Sequence, residues 1–142
     1  MKHYHIGLLM GVFDMYHVGH LNLIQRAKEH CDYLRVGVLT DELVRKFKGH
    51  DPVISQDDRK RILESVRYVD EVVLIDETSR LHEWHQRPFD CFFSGDDYSG
   101  NPYWDWEKKE LNKLGADIQF FPYTESISST MIRERIGKGE DQ

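Results

Sequence analysis

The sequence predicts an α/β fold: a Rossmann-like, doubly wound parallel sheet of about five strands within an α/β/α sandwich. Three observations carry this. Short apolar runs rich in β-formers alternate with stretches of helical period along the chain. The strand-like runs are continuously apolar rather than alternating, as expected of strands with helices over both faces. Strand–helix alternation in turn implies parallel strands joined by right-handed crossovers.

Taken in order, residues 6–12 read as a first strand and 18–30 as a helix, with Leu21, Ile24 and Ala27 on one face. Residues 33–39 form a second strand. Residues 57–66 read as a helix, with Ser55 or Gln56 near its start and Ile62, Leu63 and Val66 inward. A third strand spans 71–75, a helix 80–86 and a fourth strand 90–94. Residues 104–114 read as a helix stopped at Gly115, and 118–121 as a fifth strand. A last helix over 130–136 precedes a charged tail, 137–142, expected to fray. With no repeat, low-complexity segment or linker to divide it, residues 1–142 read as a single domain.

The chain has 25 acidic against 19 basic residues, a net charge of −6. That excludes a non-specific nucleic-acid binder, which needs a basic face to displace counterions. A nucleotide needs only a few placed cations, so it stays open. The cysteines, Cys31 and Cys91, are too few for a disulfide framework and point to a reducing, cytoplasmic setting. No apolar run reaches the length of a membrane span, and the start Met1-Lys2-His3-Tyr4-His5 lacks a signal-peptide core.

A doubly wound sheet binds ligands at the carboxyl ends of its strands, near the switch point, so the loops after the strands hold the chemistry. After the first strand comes Gly11-Val12-Phe13-Asp14-Met15-Tyr16-His17-Val18-Gly19-His20. His17 and His20, at i and i+3, share one face of the helix they open. A helix N-terminus offers unpaired N–H groups to a phosphate. Two imidazoles beside it can offset charge that builds on a phosphoryl group and its leaving pyrophosphate. Gly19 would let a nucleotide approach the backbone. The other readings are polar surface histidines at a helix start, or a chelating pair with a third ligand from elsewhere.

The remaining loops carry further candidates. Lys48 stands with Arg45 and Lys46 in a stretch read as a loop ahead of the helix bearing Arg59, either a solvated basic face or a phosphate clamp. Asp96 and Asp97 are either turn residues or groups for magnesium or hydroxyls. Residues 124–130 are dense in hydroxyls; Ser128 or Ser129 caps the last helix, and the same geometry can bind phosphate. The aromatic stretch 98–106 is either core and dimer contact or the wall of an acceptor pocket.

G-x-F-D-x-x-H-x-G-H after a first strand resembles the signature of the cytidylyltransferases that activate glycerol 3-phosphate, phosphocholine and phosphoethanolamine. The likeness continues through Thr40-Asp41-Glu42, Lys48-Gly49, Arg67-Tyr68-Val69-Asp70-Glu71-Val72-Val73, Gly95-Asp96-Asp97-Tyr98 and Thr124-Glu125-Ser126-Ile127-Ser128-Ser129-Thr130. It covers nearly the whole chain in order. The resemblance implies that His17, His20 and Lys48 are catalytic. It places Gly11, Val12, Phe13, Gly19, Asp97, Tyr123, Thr124, Ile127, Ser128, Ser129 and Thr130 against the nucleotide. Lys48, Arg59 and Arg80 would serve the substrate phosphates. It also implies CTP and a small alcohol phosphate as substrates, sn-glycerol 3-phosphate first among them. Magnesium would ride on the triphosphate without a protein ligand set, and the chain would be a homodimer. The open alternatives are phosphocholine, phosphoethanolamine or another polyol phosphate, ATP in place of CTP, and an inactive nucleotide-binding regulatory module. One departure bears on the nucleotide: the family's motif has arginine where this chain has Tyr123, glycine for Ser126 and threonine for Ser129. A lost guanidinium removes charge and a planar donor fork, which Arg133 or Lys48 would have to replace.

Overall fold

The computed structural model describes residues 2–122. Five parallel strands form one sheet in the order β3-β2-β1-β4-β5, with β1 (Tyr4–Gly11) at its centre. The flanking strands are β2 (Cys31–Leu39), β3 (Glu71–Ile75), β4 (Cys91–Gly95) and β5 (Asp117–Phe121). Their continuous apolar runs are buried from both sides, as Leu8 and Leu9 show at 0 % and 1 % exposed. Leu9, Val36 and Phe93 face one core with Ile24 and Leu63, while Leu8, Phe92 and Ile118 face another with Leu111. The layers are therefore helix, sheet, helix, as the sequence predicts.

The first core lies under α1 (Val18–Glu29) and α3 (Gln56–Glu64), and the second under α4 (Arg80–Gln86) and α5 (Pro102–Lys113). The chain winds outward through β2 and β3, returns past β1, and winds the other way through β4 and β5. The switch point falls between β1 and β4. Their pairing covers only Gly7↔Cys91 and Leu8↔Phe92, short of the carboxyl ends of both strands. By contrast β1 pairs with β2 as far as Gly11↔Val38. The loops that leave β1 and β4 therefore start apart at the switch point.

One element differs from the sequence reading. Asp41–Lys48, read as loop, is a helix, α2. The Thr40 hydroxyl accepts from Leu43 N at 3.2 Å to cap its start. Asp41 and Glu42 lie in its first turn and Arg45, Lys46 and Lys48 in its last, matching the helix dipole. Gly49, at φ 78, takes the left-handed conformation that stops it. α5 begins earlier than read, at Pro102, because the Asn101 side chain caps Tyr103 and Trp104 and proline suits a first turn. Asp96–Tyr98, after β4, is a short 3-10 turn. The expected last helix and charged tail lie outside the described residues.

Candidate active site

Past Gly11 the chain turns through Phe13 and Met15, both left-handed at φ 54 and φ 50. Such backbone costs about 1–2 kcal/mol per non-glycine residue. Asp14, buried between them, holds the turn: its carboxylate accepts from Val53 N at 2.8 Å and Ile54 N at 2.9 Å. This ties the 51–55 segment against the loop that carries the histidines.

His17 is the N-cap of α1, and its Nδ1 accepts from Gly19 N at 3.1 Å. The backbone N–H of His17 donates in return to His20 Nδ1 at 3.2 Å. The pair is a capping box in which histidines replace the usual hydroxyl and carboxylate. With Nδ1 an acceptor in each ring, this network assigns the proton of each neutral imidazole to Nε2. The rings stack at 3.9 Å, with Phe13 edge-on to His20 at 5.4 Å and Tyr16 stacked on it at 5.7 Å. His17 Nε2 is buried and has no hydrogen-bond partner among the described residues.

Burial lowers the His17 pKa below its ordinary value. It lowers that of His20 further, to about 4, with the neighbouring His17 charge adding to the effect and Asp14 opposing it. Both shifts favour the neutral ring, the form in which Nε2 carries the proton and can donate it to a hydrogen bond.

The other candidates fall into distinct places. Gly11, Val12, Phe13 and Gly19 are contiguous with the histidines. Asp97 is exposed in the 3-10 turn after β4, across the switch point. Lys48 is exposed at the last position of α2, whereas Arg45 is committed to Asp51 at 2.8 Å. Tyr123, Thr124, Ile127, Ser128, Ser129 and Thr130 lie outside the described residues, as does Arg133.

Two arginines need correction. The Arg59 side chain, expected at a substrate phosphate, is fully buried and spends its donors inside the protein. Its guanidinium donates to Ile54 O, Val12 O and Leu39 O at 2.7–2.8 Å and to the Asp41 carboxylate at 2.6 Å. It is a strut joining the carboxyl ends of β1 and β2 to α2 and the 51–55 segment. Arg80 is buried on the opposite face of the sheet, its Nε donating to the fully buried Glu107 carboxylate. Its guanidinium lies 3.8 Å from the Trp104 ring centroid, and Tyr98 stacks on the same ring at 4.5 Å. Two groups so close to one ring must occupy its opposite faces. Trp104 is therefore a packing element that braces the turn carrying Asp97, while Tyr98, Tyr103 and Trp106 are exposed. Asp14 and Asp41 were given no role from sequence. The Phe-Asp pair within the motif was the available signal for the first.

Among the described residues no three histidine, cysteine or acidic side chains gather as a metal site, and no helix is long and apolar enough to cross a membrane. Cys31 and Cys91 are free and buried, and burial pushes their thiols up to about 11 and about 12.

A doubly wound parallel sheet whose switch point adjoins a helix start bearing two histidines belongs to the α/β class that binds ligands at the carboxyl ends of its strands. Comparison with known proteins narrows this. The family described as cytidylyltransferase-like matches residues 8–135. A glycerol-3-phosphate cytidylyltransferase of Bacillus subtilis is 38% identical over 135 residues, covering 89% of this chain and 92% of that one. The bifunctional protein HldE of Koribacter versatilis is 32% identical over 88% of this chain, though the match spans only 26% of that protein. A lipopolysaccharide core biosynthesis protein from Thermoplasma volcanium has the same fold, with a TM-score of 0.71 at 22% identity over 87% of this chain and 99% of that one. The chain belongs to the cytidylyltransferase-like family and is a nucleotidyltransferase.

Proposed function

We propose that the chain transfers CMP from CTP to sn-glycerol 3-phosphate, giving CDP-glycerol and pyrophosphate. A phosphate oxygen of the acceptor attacks the α-phosphorus of CTP and forms the new P–O bond. The bond from that phosphorus to the bridging oxygen breaks, and pyrophosphate leaves with the electron pair. Such transfers rest on positioning and charge stabilisation, and among the described residues none is arranged as a nucleophile with its own base.

The observation that carries this reading is the histidine capping box. It spends both Nδ1 atoms on the helix start and so keeps both Nε2–H groups for phosphate oxygens. Lys48, exposed at the last position of α2, supplies a cation that aligns the two substrate phosphates. Magnesium, held by the triphosphate, would neutralise part of its charge and that of the leaving pyrophosphate. The carboxylates of Asp96 and Asp97 face solvent after β4 and fit an outer role toward that ion or toward hydroxyls. Two buried free thiols suit a reducing cytoplasm, and the family resemblance of the sequence is the ground for reading the chain as a homodimer.

Pyrophosphate release with CTP and a panel of acceptors tests the assignment. Glycerol 3-phosphate should give the highest kcat/KM, above phosphocholine, phosphoethanolamine and longer polyol phosphates. A higher value for any of these would transfer the assignment to that acceptor.

A further inference from the structure

The active-site loop holds a second buried polar atom without a partner among the described residues, the Tyr16 hydroxyl. Besides it, only His17 Nε2 is in that state. The two atoms belong to adjacent residues. The Tyr16 ring lies within 17° of parallel to His20, and His20 within 26° of His17, so three rings form one ladder at the start of α1. Phe13 closes on this ladder edge-on, and the loop bearing it is strained at Phe13 and Met15. A phenylalanine would fill the same space against the core without desolvating a hydroxyl, so the oxygen has no packing rationale.

We propose that the Tyr16 hydroxyl is a third phosphate donor of the site, binding a phosphate oxygen of the nucleotide beside His17 Nε2. The inference rests on the nucleotidyltransferase reading and extends it by a residue to which that reading gives no part. Burial raises the hydroxyl's pKa, so it keeps its proton throughout the working pH range and can only donate to an ionised phosphate.

The test is Tyr16→Phe, with affinities for magnesium–CTP, pyrophosphate and cytidine measured by calorimetry and the Tm measured without ligand. A donor to phosphate predicts roughly tenfold weaker binding of CTP and of pyrophosphate. Cytidine affinity should be unchanged, and the Tm equal or higher because a buried unpaired group has gone. Unchanged CTP and pyrophosphate affinity overturns the proposal. So does weakening confined to cytidine, or a Tm lowered by several degrees with ligand affinity intact, which would mean a partner inside the protein. If the unmodified chain binds ATP and not CTP, the base assignment fails, and the same comparison made with ATP still decides the role of Tyr16.

Discussion

His17 has two ring nitrogens with separate duties, and a substitution can divide them. Alanine removes both, so His17→Ala should lose activity and also an N-cap, costing about 1 kcal/mol of stability. Asparagine keeps a capping oxygen but has no group at the position of Nε2. His17→Asn should therefore hold its Tm close to the unmodified value while kcat/KM falls about 100-fold, the scale of a lost oxyanion donor. Activity lost only in proportion to Tm would make the histidine a cap and nothing more. The lowered pKa values carry a second expectation. The unfolded chain binds protons at these rings near 6.5, but folded His20 resists protonation until about 4. Their contribution to stability is present above 6.5 and is lost as pH falls through that window toward 4. Thermal melts from pH 8 to 4 should show the loss, and His20→Gln should flatten it. That the two histidines lie together was legible from spacing, because i and i+3 on a helix start share a face. Their tautomers were not, since these depend on which backbone N–H each ring accepts.

At the scale of elements, the notable feature is how α2 and the 51–55 segment are tied to the catalytic loop. Arg59 and Asp14 do this through bonds between residues 47 and 40 positions apart in the chain. No local pattern encodes such pairings, which is why Arg59 reads as one more basic residue in sequence. Arg59→Met would leave the Val12, Leu39 and Ile54 carbonyls and the Asp41 carboxylate without their shared donor. Denaturant unfolding should show a loss of about 3–5 kcal/mol, the usual range for breaking a buried ion pair. A loss below 1 kcal/mol with CTP or acceptor binding impaired would return Arg59 to the phosphates. α2 itself was within reach of sequence reasoning: Thr40, the acidic first turn and Gly49 are all boundary signals. Its apolar period is short, however, because only Val44 among its residues is buried. Placing Lys48 on a capped helix end also sharpens its test. Lys48→Met should raise the KM for the acceptor and lower kcat, while Lys46→Met should leave both near normal. The reverse result would move the phosphate clamp to Lys46.

Over the whole molecule, the doubly wound sheet follows from the chain's alternation of apolar strands and helical segments. What the sequence does not convey is the order of the strands, since β1 can neighbour β4 only once the chain reverses its direction of winding. That reversal sets the switch point, where β1 and β4 part before their carboxyl ends. It places His17 and His20 on one side of the switch point and Asp97 on the other. The choice of base is the claim on which the functional assignment turns, because Tyr123 stands where the family motif has arginine. Backbone groups in the loop after β4 can read a small polar base, since a wrong edge leaves buried groups unpaired. Loss of one guanidinium would then weaken nucleotide affinity without changing the base selected. The most direct measurement is kcat/KM for CTP, UTP, ATP and GTP with glycerol 3-phosphate as acceptor. The expected result is a preference for CTP that persists in Tyr123→Arg, whose KM for CTP is equal or lower; a clear preference for ATP would contradict cytidylyl transfer.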